Sequence, residues 1–275
     1  MQPLPFESLP PGICLAAGML SAVSKRLYAI YWHYVNIELI LKDLDLRLIL
    51  PSPYSAQFLA SIERTITKDR LARYLGATGQ DVSRALELYE HNVRLSEALY
   101  GLLHGLEVTV RNAEHHAPTA SYGTPTWYDA APLFPYWRDQ VTEAKAKPGV
   151  AGKPEKVVPE LTFGFWVDLL KRQNHRSLWV GRKLQGAFPN ACRHRALIHE
   201  RLKAIQLLRN RVSHHEPVLT SANAICDGAG LITLPELLEA VEWVCVDTAQ
   251  WMKARFRYAD AKRILREVAA MKISL

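Results

Sequence analysis

The fold is best predicted from residues 81–110, which read DVSRALELYEHNVRLSEALYGLLHGLEVTV. Asp81 is the predicted N-cap, because a short carboxylate can accept hydrogen bonds from the exposed amides of a first helical turn. Pro118 marks the predicted end, because proline disfavours helical geometry in the residue before it. Between these residues we predict one long amphipathic helix, because the apolar positions recur at helical spacing; they are Val82, Ala85, Leu86, Tyr89, Val93, Leu99, Leu102, Leu103, Leu106 and Val110.

Similar patterns predict helices elsewhere in the chain, and strand patterns are nearly absent after residue 60. Residues 122–159 are aromatic and punctuated by Pro and Gly, which predicts a loop-rich central insertion. The sequence therefore predicts an all-α protein, a helical bundle of long antiparallel helices joined by loops. The further predicted helices cover residues 68–75, 163–170, 194–212, 235–258 and 261–271.

The first 60 residues differ from the rest of the chain. They are rich in proline and contain a mixed apolar run, with a helical pattern at 24–41 and a strand-like pattern at 46–50. Neither pattern is clean. We therefore predict an N-terminal extension of uncertain structure at 1–60 and a helical domain at 61–275.

The composition excludes several classes of protein. Hydrophobic residues make up 49% of the chain, which favours a packed core over disorder. No apolar run approaches the roughly 20 residues of a membrane helix, and no secretory signal pattern is present. The four cysteines form no CxxC pair, which argues against a zinc site and a disulfide framework; they are Cys14, Cys192, Cys226 and Cys245. We predict a cytoplasmic protein with reduced thiols, no membrane partner, no metal and no cofactor.

Positive charge is concentrated in the middle of the chain. Residues 145–211 contain fifteen Lys and Arg against four acidic residues, an excess of eleven, and because the whole chain carries +7 the remainder sums to −4. Concentrated positive charge attracts phosphodiesters through counterion release. A solvated basic face without a partner is the alternative interpretation.

The chemistry-bearing stretch is residues 209–217, RNRVSHHEP. A histidine titrates near neutral pH and can move a proton to or from a ribose hydroxyl or a leaving oxygen. An arginine can hold the phosphate and offset the charge that develops in the transition state. RNA supplies its own nucleophile, the 2′-OH. The stretch therefore matches metal-independent cleavage of a phosphodiester.

Helix geometry sets a condition on this grouping. Asn210 and His214 are four residues apart and share a helix face, as do Arg211 and His215. Arg209 and His214 are five apart, which is about 140° around an ideal helix. They converge only if the helix ends or distorts there, or if a second copy of the chain supplies the partner residue. Pro217 favours an ending.

Two other interpretations of the histidine pair stay open at this point. Adjacent histidines at a helix C-terminus can simply complement the helix dipole. They can also bind a metal, although with Glu216 alone nearby they form a poor tetrahedral set unless His115 or His116 joins them.

An arginine followed by a polar residue, and by histidine within four to six residues, resembles the motif of the HEPN ribonucleases. The longer run 208–217, LRNRVSHHEP, resembles the form of this motif in the Abi-like (abortive infection) branch of that superfamily. Four further runs resemble the same branch in the same order, so that the resemblance covers residues 66–258; they are RLARYL at 70–75, ALELYEHN at 85–92, LEVTVRNA at 106–113 and LTFGFW at 161–166.

The resemblance implies a HEPN-like helical domain that forms a homodimer, so that two motifs share one cleft. It implies an endoribonuclease that cleaves RNA by 2′-OH attack, leaving a cyclic phosphate and a 5′-hydroxyl. It implies a role in phage defence or as a toxin, with an antitoxin protein or RNA as a further partner. Carried over by position, Arg209 binds phosphate, Asn210 positions it or the helix end, and His214 is the general acid/base. Arg211 and His215 are supporting candidates.

Residues 107–112 give two interpretations. Glu107 is four residues before Arg111, which predicts an ion pair within the helix. Alternatively, Glu107, Arg111 and Asn112 line the same cleft as the motif. Trp127, Trp137 and Trp166 are candidates for stacking on bases, and packing in the core is the competing expectation.

Two other functions remain as alternatives to the ribonuclease. One is a non-catalytic HEPN-like module that binds RNA or a protein partner through the basic stretch. The other is a structural bundle in which the motif only caps a helix. The histidine beside the arginine favours catalysis, because a pure binder does not need an imidazole there.

Overall fold

The computed structural model describes residues 54–192, 194–221, 224–226, 231–271 and 273. The helix expected at 24–41, the strand expected at 46–50 and most of the predicted N-terminal extension lie outside the described residues. Apart from the first three residues of the first helix, 56–58, the features below belong to one compact unit, Leu59–Leu275.

The described part of this chain is predominantly α-helical, as the sequence predicts. A single 3₁₀ turn covers Arg172–Asn174. The described helices are α1 (Ala56–Ile66), α2 (Lys68–Ala77), α3 (Val82–Tyr122), α4 (Trp127–Ala130), α5 (Pro135–Ala146), α6 (Pro154–Glu160), α7 (Phe163–Leu169), α8 (His175–Leu178), α9 (Lys183–Ala187), α10 (Arg195–Ser213), α11 (Leu234–Glu242), α12 (Val246–Arg255) and α13 (Tyr258–Ala270).

Helix α3 is the central element of the fold. Its 41 residues extend for about 60 Å, and it packs against α2, α7, α9, α10, α11 and α13. Asp81 caps it as predicted, because its carboxylate accepts a hydrogen bond of 3.1 Å from the amide of Arg84. Most of the apolar positions that predict the helix face the core, with Leu99, Leu106 and Val110 at most 1% exposed, whereas Val93 is 47% exposed.

The predicted end of α3 before Pro118 is wrong, because the helix continues to Tyr122. Pro118 lacks the amide that would bond the carbonyl of Glu114, which costs about 3 kcal/mol in a helix interior. Packing offsets this cost: Pro118 is buried, and Gly186 of α9 lies so close that a Cβ there would stand 3.6 Å from the Cβ of Ala117. The helix ends instead at Gly123, which adopts a left-handed conformation with φ of 70°.

The predicted loop-rich insertion at 122–159 is also wrong, since α4, α5 and most of α6 lie within it. Pro135 and Pro154 begin α5 and α6, and proline at a first helical position is preorganised for the helix rather than disruptive. The aromatic residues of this segment are buried, with Trp127 at 0% exposure and Trp137 at 5%.

The single helix expected at 235–258 is two helices, α11 and α12. The cause is a tertiary cap on α11. The backbone amide of Asn190 donates to the carbonyl of Trp243 at 3.1 Å, and its side-chain amide donates to the carbonyl of Glu242 at 2.9 Å. These carbonyls would otherwise accept from the next helical turn. The last helix, expected from residue 261, begins at Tyr258.

A small antiparallel sheet follows α10, although strand patterns are nearly absent there in the sequence. Its strands are β1 (Leu219–Ser221), β2 (Ala224–Cys226) and β3 (Leu231–Ile232), in the order β1-β2-β3. Strands of two or three residues are too short to show an alternating pattern. None of the helices in the described ranges combines the length and the apolar character needed to cross a bilayer.

Candidate functional site

The motif lies where α10 ends, and the helix closes there with a left-handed residue. The amide of His215 donates to the carbonyl of Val212 at 3.2 Å, and the amide of Glu216 donates to the carbonyl of Arg211 at 2.8 Å. These two bonds form a Schellman closure. Its left-handed position, normally glycine, is His215 with φ of 57°. The helix therefore ends within the motif, but this ending does not pair the two side chains: within the described residues Arg209 bonds to Glu107 of α3 and has no hydrogen bond to His214.

The two histidines of the turn are solvent-exposed. His214 is the C-cap residue of α10, and its amide donates to the carbonyl of Asn210 at 2.9 Å. Among the described residues, neither imidazole ring has a hydrogen-bond or ion-pair partner. Both rings are therefore accessible to a substrate.

Hydrogen bonds to α2 and α3 fix the chain immediately after the turn. The amides of Val218 and Leu219 both donate to the side-chain oxygen of Asn92, at 2.8 and 3.2 Å. Asn92 is 4% exposed on α3, and Arg73 of α2 donates to the carbonyl of Leu219 at 3.1 Å. A buried asparagine thus fixes the chain just after Pro217.

Arg211 also belongs to this support. Its Nε donates to the carbonyl of Pro217 at 3.1 Å, and it forms an ion pair with Glu216 at 3.6 Å. The candidate supporting residue Arg211 therefore holds the turn closed.

Arg209 points to α3 instead of to the turn. Its Nε donates to a carboxylate oxygen of Glu107 at 3.1 Å, and one terminal nitrogen lies 3.5 Å from the side-chain oxygen of Asn210. The predicted ion pair between Glu107 and Arg111 is wrong, because Glu107 pairs across helices with Arg209. The other terminal nitrogen of Arg209 has no partner in the described part of the chain.

A cleft of about 180 Å³ lies between α3 and α10, and we call it the cationic cleft. It contains two arginines, Arg111 and Arg209, against one carboxylate, Glu107. The Nε of Arg111 is buried without a hydrogen-bond partner. Asn112 is exposed and does not line the cleft. The lining residues are Tyr100, Leu103, His104, Glu107, Val108, Arg111, Arg209, Val212 and Ser213.

A second cavity adjoins the first along α3, and we call it the apolar pocket. It measures about 340 Å³ and is lined by Ala98, Tyr100, Gly101, His104, Phe256 and Arg257. Tyr100 and His104 line both cavities.

Residues 111–116, RNAEHH, also combine an Arg-Asn pair with two histidines, but they lie in a different environment. His115 accepts a hydrogen bond of 3.1 Å at Nδ1 from the indole of Trp127. Burial, and secondarily the neighbouring His116, lower the pKa of His115. Beside it, burial raises the pKa of Glu114 well above its usual range. Within the described ranges, no three His, Cys, Asp or Glu side chains come close enough to hold a metal ion.

The three tryptophans considered for base stacking pack in the core instead, since Trp127, Trp137 and Trp166 are at most 5% exposed. Sequence reasoning missed the aromatic residue that does face the cavities, Tyr100, which is 64% exposed. It also missed the role of Asn92. Tyr100 stands among apolar residues of α3, so only its position relative to the motif could have singled it out.

Comparison with models of known families, with curated proteins and with solved structures finds no match to this chain.

Proposed function

We propose that this protein is a metal-independent endoribonuclease of the HEPN type, resembling the Abi-like branch. One observation carries the proposal. The guanidinium of Arg209, oriented by Glu107, faces a cleft that also contains Arg111. The helix that carries Arg209 ends four residues later, and the next residue is the exposed His214.

The proposed reaction needs no group beyond RNA and these side chains. The 2′-oxygen of the substrate attacks the adjacent phosphorus while its proton passes to a base. The bond from phosphorus to the 5′-oxygen breaks, and that oxygen receives a proton. The products are a 2′,3′-cyclic phosphate and a 5′-hydroxyl. His214 supplies the proton transfer, because an imidazole can act both as base and as acid near neutral pH.

The arginines have a separate task. Phosphate carries negative charge that increases in the transition state, and a fixed guanidinium can offset it. Glu107 holds Arg209 in one orientation through Nε and leaves a terminal nitrogen for a phosphate oxygen. Arg111 adds a second cation. The side-chain oxygen of Asn210 accepts from Arg209, and its backbone carbonyl accepts from the amide of His214.

The assembly and the biological role are parts of the same proposal. Two copies meet at this face, so that the motif of each contributes to one cleft. The domain at 61–275 carries the activity, in the cytoplasm. Cleavage of RNA serves phage defence or a toxin function, restrained by an antitoxin. A module that binds RNA without cutting it is the second candidate, and the same two arginines support it.

The test is cleavage of total RNA in EDTA by the wild type and by His214→Ala. We expect cleavage by the wild type, and about 10²–10⁴-fold slower cleavage by the variant, the usual effect of losing a general acid/base. RNA binding should be equal in both, because His214 is not needed to hold the phosphate. Gel analysis gives the rate and a filter assay gives the binding.

His175→Ala is the matched control, because His175 is exposed like His214 but belongs to α8, outside the motif. It should cleave like the wild type. Equal rates for His214→Ala and the wild type would remove His214 from the mechanism. RNA binding without cleavage by any of the three proteins would favour the binding module.

A further inference from the structure

The apolar pocket begins where the cationic cleft ends. Tyr100 and His104 stand one turn apart on α3, and both line both cavities. Glu107, which holds Arg209, follows three residues after His104. One to two turns of α3, about 5–10 Å of rise, therefore separate the pocket from the arginine that is proposed to hold a phosphate. At this separation, the base of a nucleotide can lie in the apolar pocket while its own phosphate lies in the cationic cleft.

One wall of the pocket depends on a glycine of α3, Gly105, against which Met252 of α12 and the following Phe256 pack. A Cβ at Gly105 would stand 2.7 Å from the terminal methyl of Met252 and 2.9 Å from the ring of Phe256. A Cβ at Gly101 would stand 4.0 Å from the same ring. Gly105 therefore lets Phe256 lie against the helix backbone as one wall, whereas a methyl group at Gly101 would only touch the ring. Trp251 packs on Phe256 with ring centroids 4.7 Å apart, which restrains that wall.

Exposed rings also line the pocket. Tyr100 is 64% exposed, although large aromatic side chains usually bury most of their surface. His104, one turn later, is also exposed. The remaining cation, Arg257, is paired with Glu97 and Asp260, at 2.5 and 3.1 Å. The pocket thus offers flat apolar and aromatic surface with its charge neutralised, whereas the neighbouring cleft offers net positive charge.

We propose that the apolar pocket binds an unpaired base of single-stranded RNA, stacked on Tyr100, while the adjoining phosphate lies in the cationic cleft. The proposal rests on the proposed function for the identity of the ligand. Every base has a π-face that can stack on an aromatic side chain, and about 340 Å³ of cavity is enough for one base. A base paired in a duplex is stacked between its neighbours and cannot enter. The enzyme therefore selects single-stranded RNA.

The test measures binding without cleavage. The probe is a short 2′-O-methyl RNA containing 2-aminopurine, whose fluorescence falls when the base stacks. We expect quenching and binding by the wild-type protein, and by Tyr100→Phe, which keeps the ring. Tyr100→Ala should bind about 5- to 150-fold more weakly, which is the range for one lost base–aromatic stack, and it should lose the quenching.

The matched control is Tyr136→Ala, because Tyr136 is 65% exposed but lines neither cavity. It should bind the probe like the wild type. An abasic site in place of 2-aminopurine should weaken binding to the wild type and have no effect on Tyr100→Ala. If the abasic site weakened binding to Tyr100→Ala by the same factor as binding to the wild type, the proposal would be overturned. A wild-type protein that does not bind the probe would also overturn it.

A third measurement separates this pocket from a protein interface. If Tyr100→Ala changes the sedimentation of the protein and leaves probe binding unchanged, the pocket covers another protein chain and the base site is refuted. Stacking of the probe without any cleavage of ordinary RNA would uphold the base site and refute the ribonuclease, so the two proposals fail separately.

Discussion

At the scale of single residues, the turn after α10 has a strained backbone at a histidine. His215 has φ of 57°, a conformation that costs most residues about 1–2 kcal/mol and costs glycine almost nothing. Histidine is among the residues that are enriched at positive φ. Strained backbone often persists where a side chain has a function, which agrees with a supporting role for the ring of His215.

Replacing this histidine should separate stability from activity. We expect His215→Gly to raise the free energy of unfolding by about 0.5–1 kcal/mol, because glycine relieves the strain. Cleavage should fall, because the supporting imidazole is lost while His214 remains. Denaturant titration gives the stability and cleavage in EDTA gives the activity. A more active or a less stable His215→Gly protein would contradict this account of the turn.

The sequence predicts this site only in part. Pro217 correctly indicates that the helix ends within the motif, because proline cannot continue it. The partner of Arg209 is not predictable in this way, because helical spacing relates Glu107 only to residues of its own helix, such as Arg111. The pairing of Glu107 with Arg209 depends on how α3 and α10 pack, and that information is not local.

At the scale of elements, two glycines of α3 differ although they lie one turn apart. The space beside Gly101 accepts a methyl group, whereas that beside Gly105 is occupied by Met252 and Phe256. Helical glycine costs about 1 kcal/mol relative to alanine. Gly105 is therefore needed for close helix packing, and Gly101 is not.

We expect Gly101→Ala to raise the free energy of unfolding by about 0.5–1 kcal/mol through helix propensity. Gly105→Ala should lower it by about 1 kcal/mol, because the cost of overpacking exceeds the gain in propensity. The two variants control for each other, since the chemical change is the same. Thermal and denaturant unfolding measure both. Equal effects would show that α12 does not pack on α3 as described.

Prolines explain why several predicted helix boundaries are wrong. Local rules treat proline as a breaker, and they fail at Pro118, where the packing of α9 on α3 outweighs the lost hydrogen bond. They fail again at Pro135 and Pro154, which begin helices. The long helix itself was predictable from 81–110, because its apolar period extends over many turns.

At the scale of the whole molecule, stability should depend on pH through one buried acid. Glu114 is 0% exposed, and neither of its carboxylate oxygens has a hydrogen-bond partner in the described part of the chain. Burial raises its pKa well above the usual range. The folded protein therefore retains a proton that the unfolded chain releases once the pH exceeds the ordinary pKa of a glutamate.

The sign of the effect follows from this difference. The contribution of Glu114 to the free energy of unfolding is fully present below the ordinary pKa of a glutamate. As the pH rises from there toward the raised pKa, this contribution falls by about 1.4 kcal/mol per pH unit. Glu114→Gln removes the titration. From about pH 5.5 upward, the free energy of unfolding of this variant should therefore rise relative to that of the wild type by the same amount per pH unit.

Denaturant unfolding at several pH values measures this difference. Glu143→Gln is the control, because Glu143 is exposed, and its stability should follow that of the wild type at every pH. Parallel curves for the wild type and Glu114→Gln would contradict a protonated Glu114 in the folded protein.

In the proposed reaction, an imidazole and a guanidinium act on one phosphate whose own ribose supplies the nucleophile. The most direct test is an all-deoxy oligonucleotide with a single ribonucleotide, incubated in EDTA with the wild-type protein and with His214→Ala. We predict that the wild-type protein cuts once, directly after the ribonucleotide, and leaves a 2′,3′-cyclic phosphate and a 5′-hydroxyl. His214→Ala should make almost no cut. Cleavage at the deoxynucleotides, or a product with a 5′-phosphate, would contradict it.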